Sequence, residues 1–350
     1  MMKRRSYAVL GAALVCAAPL LVSCSSGGAP GDGASSSVSC PTDWDETVEA
    51  AKKEGALTWY TSVPTEPAEG IATAFREEYG IAVATLKLPS SNLLQRYAAE
   101  AQAGRIGGDV LSAGDAEAFA TNEGAEAGWI APLEDLDLPN LPNVPEQFVR
   151  EYSATIQTQP WLFSYNTDLV SEAPTSWEDL NNPAFADTTF LLPDPSASAA
   201  YIEFWDFIEA QYGADFITEF AENHDIRVYS SGGAVMEALA AGEGGFRVPS
   251  TASSASGVIE AGAPVANSLP ALTTGVEIQT SVTACGKSPA PNAARVFVNY
   301  LLSEEGSALL AELSGDISPF DAAGLPADYE APRPGASERT DEILAMLNIN

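Results

Sequence analysis

The residues best suited to holding a ligand are one arginine and a run of small, hydroxyl-rich residues. Arg247, in Phe246-Arg247-Val248, offers a planar guanidinium that can grip phosphate or carboxylate at two points, and it would serve equally in a structural ion pair with one of the chain's many carboxylates. The segment Asp194-Pro195-Ser196-Ala197-Ser198-Ala199-Ala200 opens a predicted helix with small side chains. Backbone N–H groups at the positive end of such a helix can approach an anion closely, although Ser196 or Ser198 would also make an ordinary N-cap. Asp115, Glu117 and Asp194 offer oxygen ligands to a hard cation, but among 48 Asp and Glu each is first of all a solvated surface charge.

Several chemistries lack their material. A single histidine, His224, leaves no multi-histidine metal site and no histidine-based triad. No G-x-S-x-G elbow, H-E-x-x-H, P-loop or glycine-rich dinucleotide turn occurs, and the run Gly242-Glu243-Gly244-Gly245-Phe246 does not precede a helix in the dinucleotide pattern. The reading is therefore of a protein that is not an enzyme and carries no cofactor. Sixteen Lys and Arg against 48 Asp and Glu give a formal charge of −32, a surface that repels nucleic-acid backbones and anionic headgroups. With 350 residues and 46% hydrophobic content, the chain is globular and long enough for two lobes.

The N-terminus reads as an export signal with a lipid site. Basic residues from Met1 to Tyr7 precede an apolar run from Ala8 to Val22, the proportions of a secretory signal rather than a membrane span. It ends in Leu21-Val22-Ser23-Cys24, which resembles the bacterial lipobox. That resemblance implies cleavage before Cys24, acylation of its thiol, and anchoring to the outer face of the cell membrane. Residues 24–40, rich in Ser, Gly, Ala and Pro, read as a flexible tether. Cys40 and Cys285 then remain in an oxidising compartment, where a disulfide is expected over two buried thiols.

Along the body, strands and helices alternate. A helix over 43–54 ending at Gly55, strands over 56–62, 81–88 and 109–112, and helices over 71–79, 91–103 and 116–127 give the pattern of an open parallel sheet. A second series follows, with strands over 161–166, 188–192, 227–229 and 244–248 and helices from 199 to 211 and 233 to 241. The tail reads as one helix from Asn292 to Leu313 and a short helix over 341–347. In parallel α/β sheets ligands sit beyond the carboxyl ends of the strands, which selects the loops 61–65, 89–92, 112–115, 196–200 and 249–254.

The ordered pieces AKKEG…WYTS, LLQRYAAEAQAGRIGGDV, SYNTDLV…APTSWEDL, LLPDPSASAA, ALAAGEGG and SPAPNAARVFVNYLLSEEG resemble the extracellular solute-binding proteins of ABC importers, in the branch with ferric-iron and phosphorylated-compound binders. The resemblance runs over about residues 42 to 320. It implies two Rossmann-like α/β lobes joined by a hinge, of the type II periplasmic-binding-protein kind, with residues 41–157 and about 275–350 in lobe 1 and 158–274 in lobe 2. It also implies that Ser198, Ala199 and Ala200 hold an anionic group. Together with the strand-end loops it selects Thr61, Ser62, Ser90, Ser91, Asp115, Arg247, Ser250 and Thr251 as ligand residues.

Ferric members of the branch use adjacent tyrosines, and this chain has no Tyr-Tyr pair. Iron would therefore have to arrive with a coordinating anion. The expected function is capture of a small anion, or an anion-coordinated metal, for an ABC permease and ATPase. The expected state is a monomer bound to membrane through its lipid alone. The alternatives are a polyamine or thiamine-type ligand on the same fold, or a secreted hydrolase.

Overall fold

The computed structural model of the chain describes residues 43–349 apart from 322 and 334. The signal, Cys24, the tether and Cys40 lie outside the described residues. Local signals build the first elements. The Asp43 carboxylate accepts from Glu46 N at 3.0 Å and Gly55 closes the other end at φ 74°, bounding α1 (Trp44–Glu54). Then come β1 (Ala56–Thr61), α2 (Thr65–Tyr79), β2 (Ala82–Lys87), α3 (Ser90–Gln102), β3 (Val110–Ala113) and α4 (Ala116–Phe119). The predicted helix over 116–127 keeps only its first turn as α, and continues as a π turn over Ala120–Gly124.

β4 (Ala154–Pro160) leads through Trp161 into a second body: β5 (Leu162–Asn166), β6 (Phe190–Pro193), α5 (Ala199–Tyr212), α6 (Ala214–Asn223), β7 (Ile226–Tyr229), α7 (Gly232–Ala240), β8 (Phe246–Ser250), α8 (Ala252–Glu260) and β9 (Val265–Ser268). The chain returns through β10 (Leu272–Thr273) and β11 (Gly275–Val282), adds α9 (Pro291–Leu301) and α10 (Glu304–Ser314), and ends with β12 (Asp328–Tyr329) and α11 (Thr340–Met346). The single helix expected from Asn292 to Leu313 is two. Gly306 passes so close to the carbonyl oxygen of Tyr300 that a Cβ there would lie 2.1 Å from it, which fixes glycine at the corner.

Two five-stranded sheets result, ordered β2-β1-β3-β11-β4 and β7-β6-β8-β5-β9. Neither is purely parallel. β11 runs antiparallel to β3 and β4, and β5 antiparallel to β8 and β9, because the strands that cross between lobes enter from the opposite end. The first core gathers Trp59, Phe75, Phe148 and Phe297, the second Trp177, Trp205, Phe190 and Phe246. Asp109, buried at 1% exposure, accepts from Thr58 N, Ser288 Oγ and Ala290 N, tying β1 to the start of α9.

The end of the chain packs on both cores. Tyr329 packs on the first core, yet Ile343 and Leu347 are buried in the second. The carboxylate of Asp206 on α5 receives Arg333 at 2.7 Å and Arg339 at 2.6 Å. Between Tyr329 and Arg333 the chain therefore makes a third crossing between lobes, after Trp161 and the β9–β11 segment.

Candidate functional site

A cleft of about 370 Å³ opens between the two lobes. Pro89, Ser90, Ser91, Gly114 and Asp115 line it from the first lobe, Ser196 to Ala200 and Glu203 from the second, and Val276 to Ile278 from β11. Ser90, Ser91, Asp115, Ser198, Ala199 and Ala200 thus come together, each at the carboxyl end of a strand. Ser90 Oγ accepts from Gly114 N at 3.1 Å, which joins the start of α3 to the turn after β3. Asp115 holds φ 61°, a left-handed conformation that Asp tolerates better than most residues and that ends β3 in a sharp turn.

On the facing lobe, Asp194 receives Ser196 N at 2.9 Å and Ser196 Oγ at 2.7 Å, so the Ser196 hydroxyl is spent inside its own turn. Ser198 occupies the N-cap of α5, but its side chain makes no capping bond. By contrast Ser231, Thr251 and Ser303 cap α7, α8 and α10 through their hydroxyls. The first turn of a fourteen-residue helix therefore presents backbone donors to the cleft with no side chain of its own across them.

One turn further along α5, Glu203 meets Asp115 across the cleft, carboxyl to carboxyl. Burial, then the charge of Asp115 and the hydrogen bond with it, then Glu277, push the Glu203 carboxyl well above the ordinary carboxylate range, with Arg150 partly opposing. Glu277, 4% exposed, is held by Arg150 Nη2 at 3.0 Å, Thr155 Oγ1 at 2.8 Å and the Tyr329 hydroxyl at 3.1 Å. Neither Glu203 nor Glu277 was selected from sequence. Glu203 had a signal available, since it lies four residues after Ala199 and so on the same helix face; Glu277 had none.

Five selected residues sit elsewhere. Thr61 is fully buried and accepts from Val63 N, and the Ser62 hydroxyl points back to the carbonyl of Ser112. β8 lies mid-sheet between β6 and β5, so Arg247 is enclosed at 3% exposure. The Ser250 hydroxyl accepts from Ser164 at 2.7 Å. Thr251 caps α8, where the sequence suggested an open loop. His224, half-buried, packs its ring on Phe190 and Phe220, and burial lowers its pKa. Trp161 and Tyr60 are core residues, at 3% and 4% exposure.

Among the described residues no group of three or more His, Cys, Asp or Glu side chains is arranged to hold a metal ion. Cys285 is disulfide-bonded.

The profile of the bacterial extracellular solute-binding protein family matches residues 70–333. No curated protein matches the chain in sequence. Among solved structures, iron-bound HitA from Pseudomonas aeruginosa superposes with a TM-score of 0.65 at 21% identity, covering 84% of this chain and 98% of that one. FutA (IdiA) of Trichodesmium, in complex with iron and citrate, gives 0.68 at 16% identity over 84% and 98%. The periplasmic binding protein AfuA from Actinobacillus pleuropneumoniae, with fructose-6-phosphate bound, gives 0.61 at 19% identity over 84% and 97%. At these identities the likeness establishes the fold: two α/β lobes of the type II periplasmic-binding-protein kind.

Proposed function

We propose, from the premise that this chain belongs to the bacterial extracellular solute-binding protein family, that it captures a small solute bearing a phosphate, phosphonate or carboxylate group in the interlobe cleft and delivers it to an ABC permease. The protein acts outside the cytoplasm as a binding protein, not an enzyme. The observation that carries the anion assignment is the start of α5, where Ser198 stands at the N-cap without capping and the free donors face the cleft. HitA and FutA are described with iron and AfuA with fructose-6-phosphate; each ligand is, or can travel with, an anion. Metal delivered as a chelate therefore fits this reading, whereas bare ferric ion held by phenolates does not.

The test is calorimetric titration with a sugar phosphate, a phosphonate, sulfate, ferric citrate, spermidine and thiamine. An anionic member of the set should bind. Ala199→Asp places a carboxylate over the helix donors and should weaken that binding by about 10- to 100-fold. The acidic floor of Asp115, Glu203 and Glu277 favours a second reading, a polyamine or thiamine-type cation. Tight spermidine binding that Ala199→Asp leaves intact or improves would overturn the anion assignment in its favour.

The lipid anchor and the bridge rest on Cys24, Cys40 and Cys285. In this reading the mature chain begins at an acylated Cys24, works as a monomer tethered to the membrane, and carries a Cys40–Cys285 disulfide. Intact-mass measurement of membrane-extracted protein, alkylated without reduction, should find the acyl mass and no alkyl addition. Two alkyl additions on unfolded protein would refute the bridge, and a mass without acyl chains would refute the anchor.

A further inference from the structure

Helix α3 has two working faces. Leu93, Tyr97 and Ala101 recur at helical spacing and are buried in a small core with Phe119. A second stripe at the same spacing, Ser91, Leu94, Gln95, Ala98, Ala99 and Gln102, lines an open groove of about 490 Å³ on the first lobe. The facing wall is Ala118 and Phe119 of α4, followed by Asn122 and Glu123 of the π turn. Leu94, Ala98 and Phe119 make its floor apolar, and the alanines are too short to fill it. The volume is that of a small-molecule site.

The groove continues the interlobe cleft, because Ser91, Leu94 and Asp115 line both. Farther along, Asn122 Nδ2 donates to Glu338 Oε1 at 3.3 Å. Glu338 precedes Arg339, which is bound to Asp206 of the second lobe, so the groove, like the cleft, is bounded from both sides. Its charges have one sign. Asp115, Glu123 and Glu338 line it, and no lysine or arginine does. Arg96 on the same helix is engaged by Glu100 at 2.9 Å and lies over the Tyr60 ring. A second acidic group brought into the groove would meet three carboxylates and no cation, whereas an apolar chain would cover Leu94 and Phe119 and leave water.

We propose that the groove takes the body of the solute whose anionic group sits at the start of α5. The substrate class is then a monoacid: one phosphonate, phosphate or carboxylate head on an extended, largely apolar body with no acid at its far end. This rests on the anion reading of the cleft and adds the remainder of the molecule to it.

The test is calorimetric titration of the full-length protein in detergent, with blanks into detergent alone, using methylphosphonate, butylphosphonate and the ω-carboxy analogue of butylphosphonate. Butylphosphonate should bind at least about tenfold more tightly than methylphosphonate, since it carries three further methylenes out of water. The ω-carboxy analogue should lose that gain. Ala98→Trp, which fills the groove, should bring the butyl-to-methyl affinity ratio to about one. Gln95→Trp, at an exposed position of the same stripe, serves that purpose if Ala98→Trp does not fold. Equal affinities for the methyl and butyl compounds, or a ratio that both tryptophans leave unchanged, would overturn the groove while the cleft reading stands. An ω-carboxy analogue as tight as butylphosphonate would overturn the monoacid assignment. If neither simple phosphonate binds, the cleft reading itself fails, and the groove falls with it.

Discussion

Sulfate binding in the cleft, measured as the part that Ala199→Asp removes, should tighten as the pH falls, by up to about tenfold per unit. The cause is the Glu203 carboxyl, which faces Asp115 directly, with Glu277, Glu117, Arg150 and Arg333 around the same floor. An anion seated at the first turn of α5 favours the neutral form of Glu203, so the bound state holds a proton that the free state releases at higher pH. Affinity therefore climbs as pH drops toward the raised pKa of the free protein, and levels once Glu203 is protonated there too. Glu203→Gln should flatten the profile at the tight end. A cationic ligand would show the reverse slope, and an anion whose affinity falls with falling pH would defeat the assignment. The same shift affects stability with the same sign. The native state holds this proton more strongly than the unfolded chain, so its stabilising contribution is complete below the ordinary carboxylate pKa and is lost as pH rises through the raised value.

Removing both Arg333 and Arg339 should cost about 3 kcal/mol or more in urea unfolding, because it leaves Asp206 buried with no counter-ion. Asp206 is 2% exposed and receives Arg333 Nε at 2.8 Å and Arg339 Nη1 at 2.6 Å. Asp206→Ala should be milder. The arginines are partly exposed and can turn to water, and Arg339 keeps Glu209 and Glu342 at 2.6 and 2.9 Å. The order of the two effects is the informative part: if the Asp206 variant is the less stable, the buried charge is not what the C-terminal segment protects.

What could be read from sequence was what local chemistry decides. Asp43 and Gly55 bound α1, and Gly80 ends α2 at φ 74°, so α1 and the first three strands were legible to within a residue at each end, whereas α2 begins at Thr65, ahead of the expected Ile71, and α4 stops after one turn. β4 and β11 were not, because their partners lie far away in sequence: Gly275 faces Pro160 and Val282 faces Val110. α8, with its run Ala252-Ser253-Ser254-Ala255-Ser256-Gly257, has too few apolar residues to show a helical period and reads as a loop. At the site, the helix start at Ser198 was legible because small residues after a strand are a local pattern. The meeting of Asp115 with Glu203 was not, since it joins residues from opposite lobes. Nor was the enclosure of Arg247, which depends on β8 lying between two other strands.

The third crossing bears on how the two lobes can move. β12 pairs with β10, Leu272 beside Asp328 and Thr273 beside Tyr329, so the C-terminal segment leaves the first lobe alongside a strand that itself passes between lobes. Its far end is fixed to the second lobe through Asp206 and the packing of Ile343. A link that starts on the axis of a rotation need not change length as the rotation proceeds, whereas it must stretch if one lobe slides past the other. The link therefore opposes a slide of one lobe past the other more than a rotation about the crossings.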